Sequence, residues 1–400
     1  MRFGNLYSMP SRNGLTKPSA IRGKGIKFCN MGELFSNPRI SDIPMELVPV
    51  SNNEMQNALL EEGDLLFARQ SLVREGAGQC SVVTKIEEPT TFDSHLIRVR
   101  LNREIANPYF YQYYFSSHLS PIPTIVTQCA QSGIRGKELA ELDVLYLPIE
   151  QQDRIVEVLA CFDSLIENNR KQIKLLEEAA GRLYKEWFID LRFPGHETTE
   201  INPETGLPEG WARKRLDQIA DFISRGVTPK YDSESSWTVL GQTCIRNNLV
   251  LLENARHLHP IASREKLLRS GDLLINSTGV GSLGRTAQIW FEPNEMTVDS
   301  HVTIVRDSSR LYSHYLSIWA FSNEAFIGSL HSGSTGQTEL SRDRLASARL
   351  LKPSSPILLK FNAFVEPIST AINEKQKSIA DLCEARDRLL PKLMSGELEV

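Results

Sequence analysis

The chain repeats itself after about 206 of its 400 residues, which constrains its fold more than any single motif does. Phe92-Asp93-Ser94-His95 maps onto Val298-Asp299-Ser300-His301 at an offset of 206. Gly63-Asp64-Leu65-Leu66 maps onto Gly271-Asp272-Leu273-Leu274, two residues further on. Ser132-Gly133-x-x-Gly136 is matched to Ser332-Gly333-x-x-Gly336, and Ile166-Glu167-Asn168 to Ile372-Asn373-Glu374. Solenoid units run roughly 20–50 residues, so a period this long is a duplicated module. Two diverged copies in one chain imply two related but different targets held at a fixed distance.

Within each copy the strongest local signal is a heptad stripe. Ile155, Leu159, Phe162, Ile166, Asn169, Ile173, Leu176, Ala180, Leu183 and Trp187 alternate spacings of four and three. The stripe recurs as Phe361, Val365, Ile368, Ile372, Lys375, Ile379, Leu382, Arg386, Leu389 and Leu393. That is the seam of a coiled coil, with Asn169 and Lys375 as polar positions at the same level. A polar seam residue costs stability but fixes register and partner, which suits two helices that pair antiparallel with each other. Each stripe predicts a helix of roughly 50 Å, against about 34 Å for a turn of duplex DNA. Pro367 and Pro391 remove backbone donors, so kinks or a frayed end are expected there.

The segments before the helices mix short β-like runs (Leu65-Leu66-Phe67, Ser81-Val82-Val83, Leu96-Ile97-Arg98-Val99) with turns and a short helix at Tyr109 to Ser116. The Pro/Gly/Asn clusters at Arg192 to Gly195 and Asn202 to Gly210 mark a boundary. The expected fold is α+β. Two duplicated globular domains alternate with two long helices that pair as an antiparallel coiled coil. The segments are 1–148, 149–193, 194–355 and 356–400. A domain of about 150 residues is large enough to bury its own core.

Composition limits the function classes. Net charge is −4, and residues 1–148 hold fifteen basic and fifteen acidic side chains. Any nucleic-acid contact must therefore come from local basic clusters, or from a complex whose other subunits share the phosphates. Six scattered cysteines without a Cys-x-x-Cys pair favour a reducing cytoplasm over disulfides or a zinc knuckle. No apolar run approaches the roughly 18 residues of a membrane span, and Met1-Arg2-Phe3-Gly4-Asn5 does not open a secretory leader.

Several stretches resemble the specificity subunits of type I restriction-modification systems. Leu207-Pro208-Glu209-Gly210-Trp211, followed by Leu216 and Ile219, is similar to the opening of a target-recognition domain in that family. Leu147-Pro148-Ile149-Glu150-Gln151-Gln152 with Arg154-Ile155 resembles the lead-in to its first conserved helix, and Leu183-Tyr184-Lys185-Glu186-Trp187-Phe188 the exit from it. Leu389-Leu390-Pro391-Lys392-Leu393-Met394-Ser395-Gly396-Glu397-Leu398 resembles its C-terminal ending. The resemblance implies a non-catalytic DNA-recognition subunit, each domain reading one half of a split target while the helices set the spacer. It implies double-stranded DNA, two modification (methyltransferase) subunits and restriction (motor-nuclease) subunits as partners. S-adenosylmethionine, ATP and Mg2+ then sit on those partners, with no cofactor or metal in this chain. Two departures stand out: Met1 aligns near Lys214, so the first domain lacks a counterpart of Trp211, and Pro353-Ser354-Ser355-Pro356 replaces the Pro-x-x-Glu-Gln lead-in.

Other motifs have plainer readings. Gly279-x-Gly281-x-x-Gly284 matches a dinucleotide fingerprint, but Gly279 and Gly281 fall on Val73 and Glu75 in the first copy, as a duplicated turn would. Asn107-Pro108-Tyr109-Phe110 is similar to an amino-methyltransferase motif without its second proline, and reads as a helix start. Asp93-Ser94-His95 and Asp299-Ser300-His301 read as turns rather than catalytic relays. His257-x-His259 lacks further metal ligands nearby. Tyr109, Tyr111, Tyr113 and Tyr114 read as helix packing.

The DNA-facing candidates are basic and amide residues in loops. In the first domain they are Arg12, Asn13, Lys17, Arg22, Lys24, Lys27, Arg69, Gln70, Arg135 and Lys137. In the second they are Arg225, Lys230, Asn276, Ser277, Arg285, Thr335 and Gln337. Arg suits guanine and Asn or Gln suits adenine by two-bond contact with the base edge, while Lys mainly holds phosphate. The alternatives are a stand-alone methyltransferase or nuclease that dimerises through the helices, which needs a methyl-donor loop or carboxylate–metal cluster, and a scaffold with no DNA role.

Overall fold

The computed structural model describes residues 1–127, 132–279, 281–332 and 339–398. The chain divides into two compact units, Met1–Glu167 with Ala380–Val400, and Asn168–Ile379. Each unit holds one globular α+β domain and a stretch of both long helices.

In the first unit a five-stranded sheet runs in the order Arg12–Asn13, Leu96–Val99, Leu65–Ala68, Cys80–Val83, Arg39–Ile40. A second, three-stranded sheet pairs Ile26–Cys29 antiparallel with Glu46–Val48 and parallel with Thr90–Phe92. The second unit repeats the plan. Phe222–Arg225, Val302–Arg306, Leu273–Asn276 and Thr286–Gln288 form the main sheet, and Thr238–Leu240 pairs antiparallel with Arg256–His257 and parallel with Met296–Val298. The repeated Asp-Ser-His and Gly-Asp-Leu-Leu motifs thus occupy the same places in both copies.

What the repeat preserves is scaffolding. Asp64 and Asp272 are fully buried. Arg100 donates to Asp64 through Nε at 2.7 Å and Nη2 at 2.8 Å, and Arg306 grips Asp272 the same way at 2.6 Å and 2.6 Å. The second oxygen of each carboxylate also accepts a backbone N–H, from Glu61 or Arg269, at 2.8 Å. A buried carboxylate is tolerable only when its charge and lone pairs are met in this way. Tyr111 donates to the Leu145 carbonyl at 3.0 Å, and Tyr315 donates to the Leu351 carbonyl at 2.7 Å. Gly14 and Gly226 each run so close to the next strand that a Cβ would overlap the carbonyl oxygen of Phe92 or Val298.

The first long helix, Ile149–Tyr184, passes into a π-helical turn at Lys185–Ile189, and the second spans Ser355–Ser395. All ten positions of each stripe are buried or half-buried. In the first unit Ile155 and Leu159 share a core with Leu390, Leu393 and Met394, and Arg386 Nη1 donates to Asp163 Oδ1 at 2.7 Å. Arg39 and Tyr113, from the globular domain, bind the other oxygen of Asp163. In the second unit Asn169 Nδ2 donates to Ser378 Oγ at 3.2 Å, and the Trp187 and Phe361 rings lie 5.7 Å apart. The polar seam residue therefore meets Ser378, three positions beyond Lys375. The second helix continues through both prolines to Ser395, correcting the expectation of a frayed end there. Each proline forfeits one backbone bond, while its neighbours Val365 and Leu390 stay buried in the cores.

The motif residues have concrete roles. Gln152 is fully buried: it accepts from Asn107 N at 2.9 Å and donates to the Ile105 and Leu147 carbonyls at 3.1 Å and 2.7 Å. The second helix lacks this glutamine, and Asn362 instead donates to the Leu311 carbonyl at 2.9 Å. The π turn lets neighbouring Trp187 and Phe188 both face the core. Phe188 and Phe193 pack on Trp211 at 5.9 Å and 4.8 Å, which explains the aromatic in the Pro-Glu-Gly-Trp opening. Strand Ala212–Arg215, which pairs with Arg349–Lys352, is matched in the first unit by a single bridge between Arg2 and Asp143.

Candidate nucleic-acid interface

The main sheet's strand ends gather three loops in each unit. In the first, Gln70–Ser71 pairs with Ser132–Gly133, Arg69 N donates to the His95 carbonyl at 2.7 Å, and Ile134 N donates to the Arg69 carbonyl at 3.0 Å. Gly136 lies against Ser11, beside strand Arg12–Asn13. The second unit uses the same bonds: Ser277 N donates to the His301 carbonyl at 2.8 Å and Leu340 N to the Ser277 carbonyl at 2.8 Å. The backbone thus equates Arg69 with Ser277, Gln70 with Thr278, His95 with His301 and Gly133 with Glu339. Strand pairing sets Asn13 opposite Ile97 and Arg225 opposite Thr303, so Asn13 and Arg225 also correspond. The scaffold is common and the side chains differ.

This register corrects the motif match. Ser332 pairs with Glu339, and Thr127 bridges to Gly133, so Ser332 takes the place of Thr127, not of Ser132. Ser-Gly-x-x-Gly is a turn composition that recurs by chance, whereas pairing partners fix equivalence.

In the first unit Arg12, Asn13, Lys24, Arg135 and Lys137 are exposed, and Arg69 and Gln70 are half-buried. Arg69 donates to the Ser94 carbonyl at 3.2 Å, Arg12 to the Asn57 carbonyl at 3.4 Å, and Arg135 reaches Glu138 at 3.9 Å. Three candidates are engaged within the domain instead. Lys17 pairs with Glu54 at 2.9 Å, Arg22 with Glu46 at 2.6 Å, and Lys27 with Asp42 and with Glu88 at 2.9 Å. Carboxylates neutralise these three cations within the domain, so each would have to exchange its partner to meet a phosphate.

In the second unit Asn276 and Ser277 are fully buried, correcting their assignment as readers. Asn276 Nδ2 donates to the Gln242 carbonyl at 3.0 Å, and Ser277 Oγ meets Thr303 Oγ1 at 2.5 Å. Consecutive strand residues alternate faces, but both faces of this strand are covered. Arg225 is half-buried: it donates to the Leu340 carbonyl at 2.8 Å and pairs with Glu339, while burial pulls its pKa down. Lys230 is exposed and Arg285 half-buried. Thr335 and Gln337 lie outside the described residues.

Three groups at this site were missed. Thr278 Oγ1 meets His301 Nδ1 at 2.9 Å, in the place of Gln70. His95, half exposed at the loop junction, contacts Asp93 Oδ1 through Nδ1 at 2.5 Å. Leu72 and Val73 are 86% and 59% exposed beside Gln70. Two uncharged apolar residues between Gln70 and Arg74 were the available signal, and it is a weak one.

The Asp-Ser-His, glycine-loop and Asn-Pro motifs have structural roles. Asp93 and Asp299 each accept the backbone N–H two residues on at 2.8 Å, forming matching turns; burial pushes the Asp299 carboxyl up. Gly279, Gly281 and Gly284 have φ of 98°, 75° and 83°, and their loop runs into strand Thr286–Gln288 rather than a helix. A Cβ at Gly284 would lie 2.7 Å from the Glu324 carbonyl oxygen, so the glycine serves packing. Asn107 caps its helix, accepting from Tyr109 N at 2.9 Å, and Tyr111, Tyr113 and Tyr114 are buried. Among the described residues no group of His, Cys, Asp and Glu is placed to hold a metal, and no helix is long and apolar enough to cross a membrane.

Residues 11–178 match the family described as "Type I restriction modification DNA specificity domain". The chain is 25% identical over 358 residues to the MjaIX specificity subunit of Methanocaldococcus jannaschii, covering 87% of this chain and 82% of that protein. It is 27% identical over 193 residues to the EcoKI specificity subunit of Escherichia coli, covering 44% and 41%. The crystal structure of a type I restriction-modification S subunit from M. genitalium aligns over 98% of this chain and 95% of that one, with a TM-score of 0.55 and 13% identity. The chain is thus similar to type I specificity subunits over most of its length. The duplicated scaffold gives the chain two domains that share a frame and differ in what they present. The family match ends within the first long helix, so the likeness of the second domain rests on the internal repeat and the whole-length alignments.

Proposed function

We propose that this chain is the DNA-specificity subunit of a type I restriction-modification enzyme, each domain reading one half of a bipartite target. The observation that carries the reading is the pair of loop junctions built on the same backbone bonds with different side chains: Asn13, Gln70 and Gly133 in one, Arg225, Thr278 and Glu339 in the other. Gln70 and Asn13 suit adenine edges, Arg225 suits guanine once released from Glu339, and Leu72 and Val73 offer apolar contact to thymine methyl groups. Lys24, Lys137 and Lys230 hold phosphate.

The two long helices pair as an antiparallel coiled coil that sets the unread spacer. Asp163 with Arg386, Asn169 with Ser378 and Trp187 with Phe361 support this, because one partner number rises as the other falls. Chemistry belongs to partners: two modification subunits carrying S-adenosylmethionine, and restriction subunits using ATP and Mg2+, all in the cytoplasm. The near-neutral first domain fits a reader that shares phosphate contacts with such partners. Exchanging residues 1–148 for another recognition domain tests the reading: methylation mapping in cells should show one half of the motif replaced and the other intact. A change in both halves would refute it.

A further inference from the structure

The second unit contains a cavity of about 430 Å³ between residues 174–181 of the first long helix, residues 365–376 of the second, and the recognition-domain residues Asn248, Gln288, Trp290 and His314. Its wall is mostly apolar. His314 lies flat on Trp290, with ring centroids 4.3 Å apart and planes 18° apart, and its Nδ1 meets Ser369 Oγ at 3.3 Å. Three acceptors on this wall have no hydrogen-bond partner: Glu177 Oε1, Asn248 Oδ1 and Gln288 Oε1. Gln288 is only 4% exposed, and its Nε2 already donates to the Gly271 and Ser313 carbonyls at 2.6 Å and 3.2 Å. Its amide is therefore pinned, with the oxygen left over. Asn248 and Asn247 both adopt left-handed φ, 57° and 53°, a conformation that asparagine tolerates but that still costs free energy. Buried acceptors with no donor are rare in native proteins, and a cluster of three around one hollow calls for a donor-rich occupant.

We propose that this cavity binds a small organic cation, an ammonium or guanidinium head on a compact apolar body. An ammonium brings three N–H donors and no acceptor, matching three orphan oxygens. Glu177, ionised above about pH 7, supplies the opposing charge, and the Trp290–His314 slab and the helix side chains receive the body. The volume lies within the roughly 300–1,000 Å³ of small-molecule sites. Anionic and acceptor-only ligands are disfavoured by the same oxygens. Lys174 and Glu178 stand exposed at the rim and leave the interior acceptors unmet.

Phenethylamine is the probe and 2-phenylethanol its neutral counterpart, titrated calorimetrically against the full chain. Phenethylamine should saturate with a Kd at or below about 1 mM, and the alcohol should bind at least about tenfold more weakly. Glu177→Gln should weaken the amine by about tenfold or more while leaving the alcohol unchanged. Gly181→Leu should abolish binding. A Cβ there meets nothing within 4 Å, and leucine is the better helix former, so the variant keeps its fold by circular dichroism. Absence of saturation, equal affinity for amine and alcohol, or unchanged binding by Gly181→Leu would each overturn the proposal.

Discussion

Replacing Asp272 by asparagine isolates the buried ion pair that the repeat preserves. Asp272 is fully buried and the Arg306 side chain is 5% exposed, so little solvent screens them. Asparagine keeps the shape but swaps one carboxylate oxygen for a donor. That donor faces Arg306 or the Arg269 N–H, and the guanidinium, which still has the Glu265 and Leu267 carbonyls at 3.0 Å and 2.7 Å, exchanges a bidentate carboxylate for at most one neutral amide oxygen. Removing one partner of a buried pair costs about 3–5 kcal/mol, because the other charge stays behind. With a urea m-value of roughly 2 kcal/mol/M, the midpoint should fall by about 1.5–2.5 M. All five tryptophans (Trp187, Trp211, Trp237, Trp290, Trp319) lie within the second unit, so their fluorescence reads that unit alone. The double variant Asp272→Leu with Arg306→Met should regain more than half of the loss, since it removes the stranded charge with its partner. A loss below about 1 kcal/mol for Asp272→Asn would refute the argument that the pair is buried and mutually dependent.

Two further expectations concern titration and readout. Burial, and secondarily the Arg310 charge, lowers the His314 pKa to about 4, so the unfolded chain binds its proton more readily. Stability from this group is present above about pH 6.5 and is lost as pH falls toward 4; the urea midpoint of His314→Phe, which keeps the stack on Trp290, should differ from the parent's in pH dependence only within that window. Burial raises Glu177 to about 7, which gives the opposite sign: stability falls as pH rises from about 4.5 to 7, and Glu177→Gln should remove that fall. Gln70→Ala should weaken binding by about 1–3 kcal/mol at one half-site only, whereas Lys137→Ala should weaken all sequences alike and reduce the salt slope by about one. Mobility shifts with the modification subunits, on probes altered in each half, separate the two.

Much of the fold was legible because its signals are periodic. A 3.5-residue seam survives divergence, since every Ile155 or Phe361 must face the same side; all twenty stripe positions are at least half-buried. The prolines misled because their local cost was weighed without the cores that hold their neighbours. The repeat located Asp64 and Asp272, but their partners Arg100 and Arg306 are some 35 residues away and are brought in by antiparallel pairing of Leu65–Ala68 with Leu96–Val99 and of Leu273–Asn276 with Val302–Arg306. No local pattern encodes that register. The candidate site was legible only as a neighbourhood. Residue type marks Lys17, Arg22 and Lys27 as possible DNA ligands, yet each finds a carboxylate folded next to it. Asn276 and Ser277 look like a polar loop after a strand, but they end a strand covered on both faces. Which polar residue faces outward depends on what packs over it, and composition is silent on that.

The claim that the helices measure the spacer while the domains read the ends is tested most directly by lengthening both helices together. One heptad is inserted after Ile166 and one before Leu382, and methylated motifs are mapped in cells that express the modification subunits. Seven residues add roughly 10 Å, or about three base pairs of duplex at 3.4 Å each. The account predicts the same two half-sites separated by about three more unread base pairs; an unchanged spacer, or an altered half-site, would contradict it.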